Sequence, residues 1–430
     1  MKNVDKYYLT IINSLFFIFP LSIILGNFSI NLNIVLFCFF AIIFYNKKLI
    51  KFEINTLDKI ILLLFFFSIL SLIINISESY FNNETFPNFV ISKTLLYLRY
   101  LILYLVVRIL LSQKILKLDW FCIACVICAT IVCLDIFIQF SFGKNVFGIE
   151  PSSTRHYSGV FGEELIAGGY LQRLAIFSFF LPFVLKKKIF HKISIQFFLF
   201  IFFLFGIILS GNRVPLILFC FSFFIFLFLT NGYKKYFLTI FTIVSLFFVL
   251  NFNLNSAFEN NSKNFFNSIN TLVDLFLKKE LSTNVMLEME TTAGQGASGK
   301  PYISEFLCAQ NAFKKNPFFG GGIRSYRTKM GCTTHPHNYY LEILVDLGLI
   351  GLGIILSFVF LLLYKLFIKK NKLFQFNLNL DTRVLPFFLY FIVEFFPIRT
   401  SGSFFSTSNA GLTFIILAIL VSLISEKKTL

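Results

Sequence analysis

Apolar runs of about 17–25 residues recur along this chain, and each is long enough to cross a bilayer as a helix. No other feature narrows the fold as far. The strands of a membrane barrel do not fit, because their spans are about ten residues long and alternate in polarity. The runs fall near residues 8–25, 28–45, 58–76, 90–111, 119–141, 169–185, 193–210, 214–230, 236–252, 339–366, 384–398 and 408–425. The sequence therefore predicts an all-α integral membrane protein of about twelve transmembrane helices. Hydrophobic residues make up 57% of the chain and charged residues only 14%, which excludes a soluble globule. The first run follows Met1 to Lys6, carries Pro20 and ends in no small-residue cleavage site, so it reads as a membrane helix rather than a leader.

The lysines set the orientation. They cluster after alternate runs: Lys47, Lys48 and Lys51; Lys114 and Lys117; Lys186, Lys187, Lys188 and Lys192; Lys234 and Lys235; Lys365, Lys369, Lys370 and Lys372; Lys427 and Lys428. The link 77–88 carries Glu78 and Glu84 and no Lys or Arg. The positive-inside rule then puts both termini in the cytoplasm and one large loop, 253–338, on the outer side between helices 9 and 10. The net charge of +17 is thus a topology signal and not a nucleic-acid footprint. Three parts follow: a nine-helix membrane region at 1–252, the loop at 253–338, and a three-helix membrane region at 339–430 with a cytoplasmic C-terminus. Within the loop, 256–280 reads as amphipathic, 284–300 as mobile, and a short helix carrying Ile303, Phe306, Leu307 and Phe313 should end before Pro317.

Six cysteines (Cys38, Cys122, Cys125, Cys128, Cys133 and Cys220) lie inside apolar runs and read as small buried thiols rather than metal ligands. Cys308 and Cys332 lie in the loop and could pair if it faces an oxidising compartment.

The chemistry-bearing residues gather at the end of that loop and at the outer ends of the helices. Gly320, Gly321 and Gly322 permit a tight turn and could present N–H groups to an anion. Ser210-Gly211-Asn212-Arg213 interrupts two apolar runs at their outer ends. A guanidinium there runs against positive-inside logic, as do Arg155, Arg324, Arg327 and Arg399 at the same level. Several arginines on that side point to an anionic ligand, since the planar guanidinium matches phosphate oxygens. In His335-Pro336-His337-Asn338 the proline keeps its predecessor out of helical geometry, and Asn338 can cap the tenth helix. The two histidines admit three readings: a metal pair, a general base, or incidental members of a cap. No Asp-x-Asp occurs, so neither a metal nor another cofactor is expected.

Phe319-Gly320-Gly321-Gly322 followed by His335-Pro336-His337-Asn338-Tyr339-Tyr340-Leu341-Glu342 and the run to Leu352 resembles the signature of the O-antigen ligase and polymerase superfamily. Ser210-Gly211-Asn212-Arg213 and Arg155-His156-Tyr157-Ser158-Gly159 are similar to its upstream landmarks. The resemblance implies a glycosyltransferase of the bacterial inner membrane, working on the periplasmic face. It would move a glycan from undecaprenyl diphosphate to an acceptor sugar hydroxyl, such as one of the lipid A core. His337 would be the base or would orient the acceptor, and Arg213 would grip the diphosphate. Arg324, Arg327 and Arg155 would assist, while His335, Asn338, Gly320 and Gly322 would shape the site. A repeat-unit polymerase shares the donor chemistry and differs in acceptor. A flippase or transporter instead needs polar residues lining the mid-membrane interior, for which Asp135, Glu394, Arg99 and Arg108 are the candidates.

Overall fold

A computed structural model describes residues 2–45, 52–151, 156–184, 189–230, 301–328, 336–367, 382–397, 399 and 402–426. Among these residues the chain is helical, with turns and no strand. The helices are α1 (Lys2–Ile24), α2 (Asn27–Tyr45), α3 (Thr56–Phe81), α4 (Asn88–Ser112), α5 (Leu118–Phe142), α6 (Ala167–Leu174), α7 (Leu181–Val184), α8 (Ile189–Leu209) and α9 (Arg213–Leu229). They continue with α10 (Pro301–Lys315), α11 (Ser325–Thr328), α12 (Tyr339–Phe367), α13 (Leu385–Glu394) and α14 (Thr407–Glu426). A 3-10 segment, Ala175–Phe180, joins α6 to α7.

Among the described residues, eight helical stretches are long and apolar enough to cross a membrane, and three shorter apolar helices lie at Ile193–Leu209, Arg213–Leu229 and Leu385–Glu394. Every predicted span except the ninth has a helix at its place. The ninth (236–252) and the segments 256–280 and 284–300 lie outside the described residues, so the architecture is that of a polytopic helical protein whose exact span count rests on the sequence. The short helix expected before Pro317 is α10.

α14 is the centre of the bundle: its spanning window is 89% buried, against 28% for α1. It packs along α4 and touches α2, α12 and α13. Aromatic rings fill much of the remaining space. Phe200 stacks on Phe223 at 4.0 Å, and Phe179 contacts Phe219, Phe223 and Phe226, tying the 3-10 segment to α8 and α9. Each such pair is worth about 0.5–1.5 kcal/mol beyond plain burial, which matters where lipid is as apolar as the packed side chain. The six cysteines of the apolar runs are free and buried, as read.

Polar contacts separate the two ends of the bundle. At one end Asn55 caps α3 through a reciprocal pair of bonds with Asp58, each 2.9 Å. The same carboxylate takes a two-pronged contact from Arg108 at 2.8 and 2.9 Å, and Arg108 also donates to Ser422 Oγ at 2.7 Å. At the opposite end lie the starts of α4, α6, α9, α12 and α14, together with the glycine turn. That end holds every described candidate site residue.

Candidate active site

The expectation of one unbroken helix over 339–366 needs correction. α12 is broken at Gly348, whose φ of 67° and ψ of −169° are not helical. An intact helix would bond Leu349 N–H to Val345 C=O and Ile350 N–H to Asp346 C=O. Here the glycine turn takes over all four groups. Leu349 and Ile350 donate to the carbonyls of Pro317 and Phe318 at 2.9 and 3.4 Å, while Gly321 and Gly322 donate to those of Val345 and Asp346 at 3.0 and 2.9 Å. The fit has no room for side chains: a Cβ on Gly348 would sit 2.3 Å from the Phe318 carbonyl, and one on Gly320 would sit 2.4 Å from the Asp346 carbonyl carbon. The N–H groups of Gly320, Gly321 and Gly322 are thus engaged with backbone carbonyls, the first with Asn316 at 3.0 Å. The geometry uses these glycines for close backbone approach. α3 holds the far side of the turn, through Ser71 Oγ to Phe319 O at 2.7 Å and Asn75 Nδ2 to Gly320 O at 2.8 Å.

Beyond the turn, the Asp346 carboxylate accepts the backbone N–H of Arg324 at 2.6 Å and the hydroxyl of Ser325 at 3.1 Å. These bonds hold Arg324 at a φ of 63°, in the left-handed region. His337 is held there too, at 44°. Such a backbone costs a non-glycine residue about 1–3 kcal/mol and persists where surroundings impose it, often at functional sites. His337 is half-buried, with Nε2 at 3.6 Å from Oε1 of Glu305 on α10. Glu305 is in turn fixed by its backbone carbonyl, which accepts the Tyr326 hydroxyl at 2.8 Å. Burial, with Glu305 and Asp346 adding to it, pushes the Tyr326 phenol up and keeps it a donor. Cys308 on α10 is disulfide-bonded; its expected partner, Cys332, lies outside the described residues.

Asn338 caps α12, as its position suggests. Its Oδ1 accepts the N–H groups of Tyr340 and Leu341 at 2.9 and 3.2 Å, and its Nδ2 donates to the carbonyls of Pro397 and Arg399 at 2.7 and 3.3 Å. That contact leads to a buried ionic group. Arg173 of α6 meets Glu394 at 3.0 Å, Arg399 pairs with the same carboxylate, and the Tyr339 hydroxyl donates to it. The Arg399 guanidinium also lies over the Tyr339 ring at 4.8 Å. A neighbouring carboxylate, Glu342, accepts the Ser403 hydroxyl and the Phe404 N–H, pinning the approach to α14.

Arg213 opens α9 and is exposed. The turn before it passes through Gly211 at a φ of 72°, and the Asn212 side-chain oxygen accepts the Gly168 N–H at 3.0 Å. This ties the Arg213 turn to α6, the helix that carries Arg173 and so reaches Glu394, Arg399 and Asn338. Arg213, Arg324, His337, Asn338, Gly320 and Gly322 therefore share one end of the bundle. The backbone of Arg327 lies in α11. Arg155 and His335 lie outside the described residues.

Glu305, Arg173 and Lys93 were missed by the sequence reading. Arg173 had a usable signal, a charge inside an apolar run; Glu305 had none, because nothing local in the sequence pairs it with His337. Three of the four transport candidates have structural partners: Arg108 has Asp58, Glu394 has two arginines, and Asp135 accepts the Val146 N–H at 3.0 Å. Among the described residues no three His, Cys, Asp or Glu side chains gather as a metal set would.

What the arrangement offers chemically is an imidazole steadied by a carboxylate, at the end of the bundle that also carries Arg213 and Arg324. Residues 198–356 match the family model described as O-antigen ligase. No curated protein matches the chain. The matched segment runs from α8 through Arg213, α10, the glycine turn and His337 to the far side of the Gly348 break. Through that segment the chain resembles the O-antigen ligase superfamily.

Proposed function

We propose that this protein is a metal-independent glycosyltransferase that moves a glycan from undecaprenyl diphosphate to an acceptor sugar hydroxyl, with the lipid A core as acceptor, on the periplasmic face of the inner membrane. The observation that carries the reading is His337, held in a left-handed backbone against Glu305, inside the segment that matches the family. Glu305 favours the tautomer with a proton on Nε2, which makes Nδ1 the basic nitrogen. In the transfer, the acceptor oxygen bonds to the anomeric carbon and its proton passes to His337 Nδ1. The glycosidic C–O bond breaks, and the electron pair leaves with the lipid diphosphate. Charge grows on that diphosphate as the bond breaks, so guanidinium groups aimed at it favour the transition state over the ground state. Arg213 takes that role, with Arg324, Arg327 and Arg155 assisting, while His335 and Asn338 shape the acceptor side.

A repeat-unit polymerase would use the same residues on a different acceptor. Cells lacking the protein separate the two: long glycans left on the lipid carrier support the ligase reading, and single repeat units support the polymerase. Replacement of His337 or Arg213 by Ala should lower transfer by about 10²–10⁴-fold while membrane insertion stays normal. Near-normal transfer in both variants refutes the site. Transfer that survives exhaustive chelation supports metal independence, and its loss refutes it.

A further inference from the structure

We infer that Lys93, Arg99 and Arg324 form a second anion subsite, for a phosphoryl or carboxylate group, in a recess between α4, the residues after the glycine turn and the start of α14. The recess is lined by these three cations together with Tyr97, Tyr100 and Thr407, and no acidic residue lines it among the described residues. The nearby Glu342 is already held by Ser403 and Phe404.

The site is built rather than incidental. The Arg99 guanidinium lies over the Tyr100 ring at 4.7 Å and donates to the Tyr100 hydroxyl at 2.8 Å; that hydroxyl is anchored on the Thr407 carbonyl at 3.3 Å. Two polar atoms on the recess wall are buried and have no hydrogen-bond partner: Arg99 Nε and the Tyr97 hydroxyl, whose residue is 4% exposed. A buried donor without a partner costs about 1–3 kcal/mol, and gathering like charges adds to that. Both penalties vanish when an anion enters, since it accepts from all of these groups at once. Lys93 and Arg99 set the subsite apart from the Arg213 turn, with Arg324 common to both: α4 packs on α2, α3 and α14, whereas α9 packs on α6, α8 and α13.

The inference rests on the glycan-transfer reading only for where the anion comes from, either a lipid-linked phosphate or an acidic sugar. The test is direct binding to the full-length protein in detergent, with inorganic phosphate, glucuronate and glycan-free undecaprenyl diphosphate as separate probes. At least one should bind the wild type and bind the Lys93→Ala/Arg99→Ala variant at least about tenfold more weakly, at an unchanged melting temperature. Loss confined to the lipid probe assigns the subsite to the donor; loss of glucuronate or phosphate binding assigns it to an acidic group on a glycan. Leu96→Glu, which sets a carboxylate on the recess wall beside both cations, should weaken binding similarly and keeps the test decisive if the double variant does not fold. No binding of any probe to the wild type, or equal affinity in wild type and variants, overturns the inference. Since binding needs no turnover, a protein that binds these anions through Lys93 and Arg99 yet transfers no glycan would retain the subsite and lose the proposed activity.

Discussion

Arg108 and Arg99 stand on the same helix and live in opposite circumstances. Arg108 sits at one end of the bundle with a two-pronged contact to Asp58, a third bond to Ser422 and side-chain exposure of 4%. Its charge is cancelled and its donors are used. Arg99, toward the other end of α4, has a tyrosine for company, a buried Nε without a partner and no carboxylate in its recess among the described residues. Both are charges in an apolar run, and a hydropathy scan treats them alike. The difference teaches that an intramembrane arginine is judged by its partners: one already matched holds helices together, and one left unmatched waits for something to bind.

That contrast can be broken at several points. Arg108→Ala should cost about 3–5 kcal/mol of stability, because it strands the Asp58 carboxylate in the bundle; thermal unfolding in detergent reads this, and the surviving folded fraction should transfer glycan normally per molecule. A stable Arg108→Ala protein with lost transfer would reverse the roles assigned to the two ends. Glu394→Gln should follow closely, since it leaves Arg173 and Arg399 facing each other without the carboxylate they share. Here transfer should fall along with the melting temperature, as Asn338 is anchored on the Arg399 carbonyl; intact transfer would uncouple the ionic group from the site. Glu305→Gln should have the smallest structural effect. It should lower kcat by up to about 10²-fold with KM little changed, because a misplaced imidazole loses its alignment. Glu305→Asp should recover part of that loss. A change in KM alone would make Glu305 a substrate contact rather than a positioning residue.

Much of the frame could be read from residue order. The apolar runs marked the helices, Ser210-Gly211-Asn212 marked the turn before Arg213, Pro317 marked the end of α10, and Asn338 marked the α12 cap. These are local signals, each set by a few adjacent residues. Two features were hidden for definite reasons. Gly348 lies in Leu347-Gly348-Leu349-Ile350, an apolar stretch in which a broken helix and a continuous one look the same. The Arg173, Glu394 and Arg399 group depends on residues more than two hundred positions apart in sequence, and nothing in a single sequence pairs them. The glycines were read for their N–H groups, whereas in the fold those groups meet backbone carbonyls.

The break in α12 also bears on the order in which the site can be put together. Without the glycine turn, the carbonyls of Val345 and Asp346 would pair with the N–H groups of Leu349 and Ile350 in an unbroken helix, because groups left open at a depth where water is scarce cost several kcal/mol each. The break and the turn must therefore form together, against Ser71 and Asn75 of α3. Insertion of the separate helices can precede this, but the left-handed Arg324 and the capped start of α12 can settle only at that joint step. A candidate site assembled in this way is all or none: the bundle either closes around all of it or presents none of it.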